Sequence, residues 1–392
     1  MLVAKRVGLS EILDGRRSPR SEALTILTGE NGAGKSRALR FLAEFYGGRR
    51  RKVLAISNSS FGRFNRKGDY VRAINFGRPG ASPEKILKST ISAAYEKDEL
   101  QLRSLSRILR YCGYSPEVGF RVNLSERKRP STLKDEIEAA AAKRGRNSDE
   151  LISIIYLVTS NEMGGEILWL DFDGFSLESF VRNSIPRILF WERELRSLGY
   201  ISSIRLFLRS STSEIALSQA SSGELSLITS MALIATTHEE ETVLPIDEPE
   251  NSLHPAWQKE FLSTLLAAIG YKRTTLIIAT HSPLIVMGGE DVRMQAEVLV
   301  MSAMIESDGQ VDVAEKGLEG VMAEVFHTFT SKNHYLSRYL VSLLDYLEGG
   351  RLSKAELETI IVKLKEMGLD EKQQAAVRLV QDMANSIEAG NA

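Results

Sequence analysis

The stretch Gly29-Glu30-Asn31-Gly32-Ala33-Gly34-Lys35-Ser36 decides the fold. Its glycines let backbone N–H groups wrap phosphates, its lysine reaches the terminal phosphates, and its hydroxyl suits Mg²⁺. The flanks agree. Ala23-Leu24-Thr25-Ile26-Leu27-Thr28 reads as a buried strand, and Lys35 to Tyr46 puts Ala38, Phe41, Leu42 and Phe45 on one helical face. Phosphates held by Asn31, Gly32, Ala33, Gly34, Lys35, Ser36 and Arg37 would then sit at a helix N-terminus, where the dipole and unpaired N–H groups favour negative charge. A glycine-rich turn without a ligand would not need strand, lysine, hydroxyl and helix to agree.

A chain of 392 residues has room for two or three domain-sized units. The single cysteine, Cys112, excludes a disulfide framework and a cysteine-based zinc site, and suits a reducing compartment. No apolar run reaches bilayer-spanning length, and Met1-Leu2-Val3-Ala4-Lys5-Arg6 lacks a signal-peptide core. The expectation is a soluble cytoplasmic protein with no membrane partner.

The net charge of −1 hides an asymmetry. Residues 49–150 hold 23 Lys and Arg against 12 Asp and Glu, whereas the remainder holds 27 against 39. The basic clusters are Arg49-Arg50-Arg51-Lys52, Arg63 to Arg72, Arg127-Lys128-Arg129 and Lys143-Arg144-Gly145-Arg146. They fit a face for nucleic acid, or a set of cations that pair with acidic segments of the same chain.

Downstream, Val243-Leu244-Pro245-Ile246 is an apolar run ending in Asp247-Glu248, the layout of a Walker B strand. The first acid can hold hydrated Mg²⁺, and the second can orient or deprotonate an attacking water. A further strand, Thr275 to Ala279, ends in Thr280-His281-Ser282, where a histidine can donate to a γ-phosphate. Upstream, Ser221-Ser222-Gly223-Glu224 opens a helix from Leu225 to Thr236 and offers a second anion-binding turn. Taken alone it is a helix cap. Beside a phosphate loop, it suggests ATP shared between two subunits.

Together, Gly29–Ser36, Ser221–Glu224, Asp247-Glu248-Pro249-Glu250-Asn251-Ser252-Leu253-His254-Pro255 and Thr280-His281-Ser282 resemble ABC-type ATPase heads, and most closely the RecF/SMC/OLD branch. The resemblance implies an α/β P-loop head that binds ATP and Mg²⁺ and hydrolyses ATP slowly. It assigns Ser221, Ser222, Gly223 and Glu224 to a signature that reaches a partner's nucleotide, and Ser36 and Asp247 to the metal. Glu248 becomes the catalytic glutamate, Asn251 to His254 the D-loop, and His281 the switch histidine. A Q-loop glutamine is missing after Val53-Leu54-Ala55-Ile56, where Asn58 or a nearby serine stands instead.

Between the motifs the chain reads as a mostly helical, basic insertion. Helical patterns run over Pro83–Tyr114, Leu133–Lys143, Ser148–Thr159 and Phe175–Leu198, with a strand-like Glu166–Phe172; Ile204–Arg209 and Glu214–Leu217 form a hairpin. Asp171-Phe172-Asp173 reads as an exposed strand end rather than a metal pair. At the other end, Ser353-Lys354-Ala355-Glu356 is a capping box, and two amphipathic helices flank Gly368 in a hairpin. The expected organisation is a first head segment (1–80), a helical insertion (81–200), a second head segment (201–320) and a C-terminal helical extension (321–392).

No long heptads, LSGGQ-type signature or downstream Toprim acids are present. What remains is similar to the ATPase component of prokaryotic anti-phage systems, such as the PtuA subunit of Septu and ATPases attached to some retrons. That resemblance implies a homodimer closed around ATP, alone or within a higher assembly, controlling a separate effector nuclease of HNH type. The alternative is a RecF-like DNA-repair or DNA-loading protein whose basic insertion binds DNA directly.

Overall fold

Leu24–Gly29, Val53–Ser57, Thr242–Asp247 and Thr274–Ala279 are buried at every residue, so the sheet they build must be covered on both faces. The computed structural model describes residues 3–15, 19–59, 64, 69–76, 82–97, 100–125, 134–160, 165–173, 180–270, 272–289, 292–302, 310–312, 318, 321–322, 326, 334–366, 369 and 371–391.

In chain order, β1 (Val3–Gly8) and α1 (Leu9–Leu13) precede β2 (Leu24–Gly29), which feeds α2 (Lys35–Gly48). Next come β3 (Val53–Ser57) and β4 (Val71–Asn75). The insertion holds α3 (Pro83–Lys97), α4 (Leu100–Tyr111), β5 (Glu117–Leu124), α5 (Lys134–Ala142) and α6 (Ser148–Thr159). It ends with β6 (Leu168–Asp171), α7 (Phe180–Phe190) and α8 (Glu192–Ser197). The hairpin β7 (Ile201–Arg209) and β8 (Glu214–Ala216) then leads to α9 (Ser222–Thr237) and β9 (Thr242–Asp247). The rest of the head is α10 (Pro255–Ile269), β10 (Thr274–Ala279), α11 (Pro283–Gly288), β11 (Ala296–Ser302) and β12 (Gln310–Asp312).

The main sheet runs β12-β1-β11-β2-β10-β9-β3-β4, parallel throughout except for β12. Alternate residues point to opposite faces. Leu24, Ile26, Leu244, Ile246, Leu276 and Ile278 share one core with α9 and α10. Leu27, Val243, Ile277 and Ala279 share the other with Ala38, Leu39, Leu42 and Ala43 of α2. The helix after the phosphate loop and the helix after Ser221 therefore cover opposite faces of one sheet.

The insertion carries more strand than its sequence suggests. Val118, Phe120 and Val122 of β5 are buried, and β5 joins β6, β7 and β8 in an antiparallel sheet ordered β6-β5-β7-β8. The expected hairpin at Ile204–Leu217 is the β7–β8 edge of that sheet. At the end of β6, Asp171 and Asp173 are exposed while Phe172 between them is buried, and the Asp173 carboxylate accepts from Ser106 and Arg110 and is held below the usual carboxylate range by those partners, Ser106 foremost.

The expected C-terminal hairpin is part of a three-helix cluster. Helices Lys354–Glu366 and Glu371–Asn391 pack with His334–Glu348 around Leu340, Ile361 and Val377. The capping box forms, with Ser353 N–H donating to Glu356 Oε2 at 2.8 Å and Glu356 N–H to Ser353 Oγ at 3.4 Å. On the last helix Leu379 and Met383 are exposed, while Val380 and Ala384 are buried. Gly368 and Arg127-Lys128-Arg129 lie outside the described residues.

His238 ends α9 and is buried beside the start of β10, its Nε2 2.7 Å from Thr274 Oγ1. Burial, with Lys272 next in weight, lowers its pKa from 6.5 to about 4. Its ring is neutral in the folded chain and gains a proton more readily when unfolded. Stability is thus fully present above pH 6.5 and is lost as pH falls through about 4, by about 3 kcal/mol for this group. In urea unfolding between pH 7.5 and 4, His238→Gln is expected to flatten that loss. An unchanged pH slope would remove His238 as its source.

Candidate functional site

Parallel register sets the site. Ala279 pairs with Leu27 on one side and Asp247 on the other, and Ser57 pairs with Asp247. Four strand ends thus stop at one level, where ligands bind in open α/β sheets. Hydrogen bonds continue the row: Thr280 N–H to Leu27 O at 3.0 Å, Glu248 N–H to Ala279 O at 2.9 Å and Asn58 N–H to Asp247 O at 3.1 Å.

The phosphate loop turns through Gly32 and Gly34, both at positive φ, and Gly34 caps α2 in the left-handed conformation. A Cβ on Gly29 would lie 2.2 Å from Met301 O, so β11 excludes any side chain there. Asn31, Gly32, Ser36 and Arg37 are exposed, whereas Ala33 packs into the α2 core. Lys35 is buried, and its Nζ donates to Gly29 O and Glu30 O at 2.9 Å each. Burial lowers its pKa; Glu248, Glu250 and Asp247 pull the other way.

Ser36 Oγ donates to Asp247 Oδ1 at 3.0 Å. Asp247 is 2 % exposed, and burial, reinforced by Glu248 and Glu250, pushes its carboxyl up to about 6 against the Ser36 hydrogen bond. Burial likewise raises Glu250, whose Oε1 accepts from the His281 backbone N–H. Three carboxylates thus surround one buried ammonium. A hydroxyl and a carboxylate in contact, inside an electrostatic excess of acid, fit Mg²⁺ that takes its other ligands from phosphates and water. Consistently, among the described residues no group of three or more His, Cys, Asp or Glu is placed to hold a metal unaided.

Glu248 occupies positive φ, at 49°, which turns its carboxylate back toward the strand ends. Its Oε2 accepts from Asn251 Nδ2 at 3.0 Å, and its Oε1 lies 3.9 Å from His281 Nε2. Burial, then Lys35, lowers the pKa of His281, favouring a neutral ring. Such an arrangement can hold a water between a carboxylate and a phosphate.

Ser221 caps α9, accepting from Glu224 N–H at 3.3 Å, while Glu224 Oε2 accepts from Ser221 N–H at 2.7 Å. The Glu224 carboxylate is therefore committed to the cap, and Tyr114 also hydrogen-bonds it. Ser221 and Ser222 are exposed; Gly223 is buried, and a Cβ there would lie 2.0 Å from Ser252 O. The Ser221–Glu224 turn is thereby fixed against the loop at Ser252 and Leu253.

Asn58, one of the two alternatives for the missing Q-loop glutamine, lies at the same level. At the end of β3, Asn58 donates from Nδ2 to Pro249 O at 3.4 Å, and its buried Oδ1 has no hydrogen-bond partner among the described residues. It stands where a Q-loop glutamine would be sought. The signal was only positional: a polar residue immediately after a strand that pairs with β9.

Residues 24–287 match the family model described as "AAA domain, putative AbiEii toxin, Type IV TA system". No curated protein matches the chain. No described helix is long and apolar enough to cross a membrane.

The Gly223–Ser252 approach yields a direct check. Gly223→Ala must push the D-loop away, so it is expected to cost about 1–3 kcal/mol of stability and to lower ATP turnover. An unchanged melting temperature with unchanged turnover would show that the contact does not hold the D-loop.

Proposed function

The chain belongs to that AAA-domain family, and from this premise we propose an ATP-hydrolysing switch whose two heads close around ATP and control a separate effector nuclease in antiviral defence. Family membership supports nucleotide hydrolysis. The dimer, the effector and the defence role are our reading.

In this reading the backbone of Asn31 to Ser36 holds the phosphates and Lys35 exchanges its carbonyl partners for phosphate oxygens. Ser36 and Asp247 hold Mg²⁺, which neutralises charge on the β- and γ-phosphates. Glu248 orients the attacking water and takes its proton, with Asn251 fixing one carboxylate oxygen and His281 facing the other. The observation that carries the proposal is the signature's address. Its exposed Ser221 and Ser222 sit on a helix covering the sheet face opposite α2, pinned by Gly223 to the D-loop. A second copy, related by a two-fold axis, offers them a phosphate loop to complete.

The family description, a putative toxin of a type IV toxin–antitoxin system, supports an ATP state that governs a harmful activity. We assign the nuclease chemistry to another polypeptide, because Asp173 is already committed to Ser106 and Arg110. Part of the basic surface is similarly occupied within the chain, through Lys52–Glu239 and Arg144–Glu194, which favours the switch over direct DNA handling.

Two measurements test this. Glu248→Gln is expected to lower turnover at least about 100-fold and to accumulate ATP-bound dimers in size-exclusion chromatography; normal turnover would free Glu248 of its role. Lys35→Ala and Ser221→Arg should each be inactive. Mixed in equal amounts they should recover about a quarter of wild-type activity, since half the dimers are mixed and each keeps one intact site. Dimers that form without recovery would place the whole site in one subunit.

A further inference from the structure

The insertion contains a cavity of about 730 Å³ that shares no residue with the phosphate-loop site. Its walls come from α3, the turn after α5, and the α7–α8 junction. The volume is that of a small-molecule site. Five cations line it: Lys85, Lys88, Arg144, Arg193 and Arg196.

Two of them are neutralised. Lys88 Nζ lies 3.0 Å from Glu192 Oε1 and 3.5 Å from Glu84 Oε1. Arg144 forks onto Glu194 at 2.9 and 3.1 Å, with its guanidinium 4.9 Å from the centre of the Phe190 ring. Among the described residues, Lys85, Arg193 and Arg196 have no ion-pair partner. Five cations against the three carboxylates of Glu84, Glu192 and Glu194 leave a net charge of +2, and the exposed Lys85, Arg193 and Arg196 carry positive potential into the concavity. Two are guanidinium groups, whose fork matches phosphate oxygens.

We propose that this cavity binds a phosphate-bearing small molecule of nucleotide size, through Lys85, Arg193 and Arg196. Three free cations match the charge of an oligophosphate better than that of a single carboxylate. The paired Lys88 and Arg144 form a fixed floor that an anion meets without having to order it. The wall helix α3 also packs on α9, the helix that Ser221 caps.

The test titrates the full chain, its phosphate loop already saturated with a non-hydrolysable ATP analogue and Mg²⁺, in a calorimeter. The probes are inorganic tripolyphosphate, AMP and a 5′-phosphorylated single-stranded DNA. Tripolyphosphate is expected to bind one site per chain. The triple variant Lys85→Glu, Arg193→Glu, Arg196→Glu should weaken it about tenfold or more while leaving the affinity for the ATP analogue unchanged. The milder pair Arg193→Gln and Arg196→Gln, checked for fold by circular dichroism, should show a smaller loss in the same direction. AMP binding that the triple variant abolishes would identify a nucleotide as the ligand. Tripolyphosphate that fails to bind, or binds the triple variant equally well, would overturn the site. Binding of the DNA alone would also overturn it, by assigning the cations to a nucleic-acid backbone.

Discussion

The alignment of four strand ends is the constraint on which the rest of the molecule depends. Leu27, Ala279, Asp247 and Ser57 stand side by side because β2, β10, β9 and β3 pair in parallel and in one register. A parallel strand slipped by one residue would reverse its faces, sending Leu244 and Ile246 toward α2 and Val243 toward α9. The apolar cores forbid that. Packing on two faces therefore fixes, to the residue, where Asp247 meets Ser36 and where Glu248 turns out of the sheet.

A second consequence follows from the two faces. Since α2 and α9 pack on opposite faces, the Gly29–Ser36 loop and the Ser221 turn that begin them belong to different layers. The Gly223–Ser252 approach then links the α9 turn to the loop that starts at Glu248. Motion of α9 cannot leave that loop undisturbed, because backbone meets backbone there with no side chain to absorb it.

Much of this was legible in the sequence where the signal is local. Gly29–Ser36 with its flanking strand and helix, Val243–Glu248, and Thr275–His281 each combine an apolar run with a specific polar terminus. The losses have physical causes. β5 alternates Val118, Phe120 and Val122, but its neighbours on either side read as helix and basic loop, and its partners lie about 50 to 90 residues away in β6 and β7. β4 adjoins a run of arginines that masked Ala73 and Ile74. β11 pairs with both β1 and β2, and no local feature of Ala296–Ser302 announces that. In the last helix, Leu379 and Val380 are adjacent apolar residues, and only packing against its two neighbours chooses Val380 for the core.

The charge balance at the strand ends explains why such a site is built at a cost. Asp247, Glu248 and Glu250 crowd one buried lysine, and burial raises both Asp247 and Glu250 above the ordinary carboxylate range. Burial thereby disfavours the ionised form of both acids, and Lys35 is held by the backbone carbonyls of Gly29 and Glu30, with no ion pair of its own among the described residues. A divalent cation at Ser36 and Asp247 would favour the ionised form of Asp247, and phosphates would give Lys35 a charged partner. Neither change requires the strands to move. The fold supplies the geometry in advance, and a nucleotide with its metal would relieve the electrostatic tension the geometry creates.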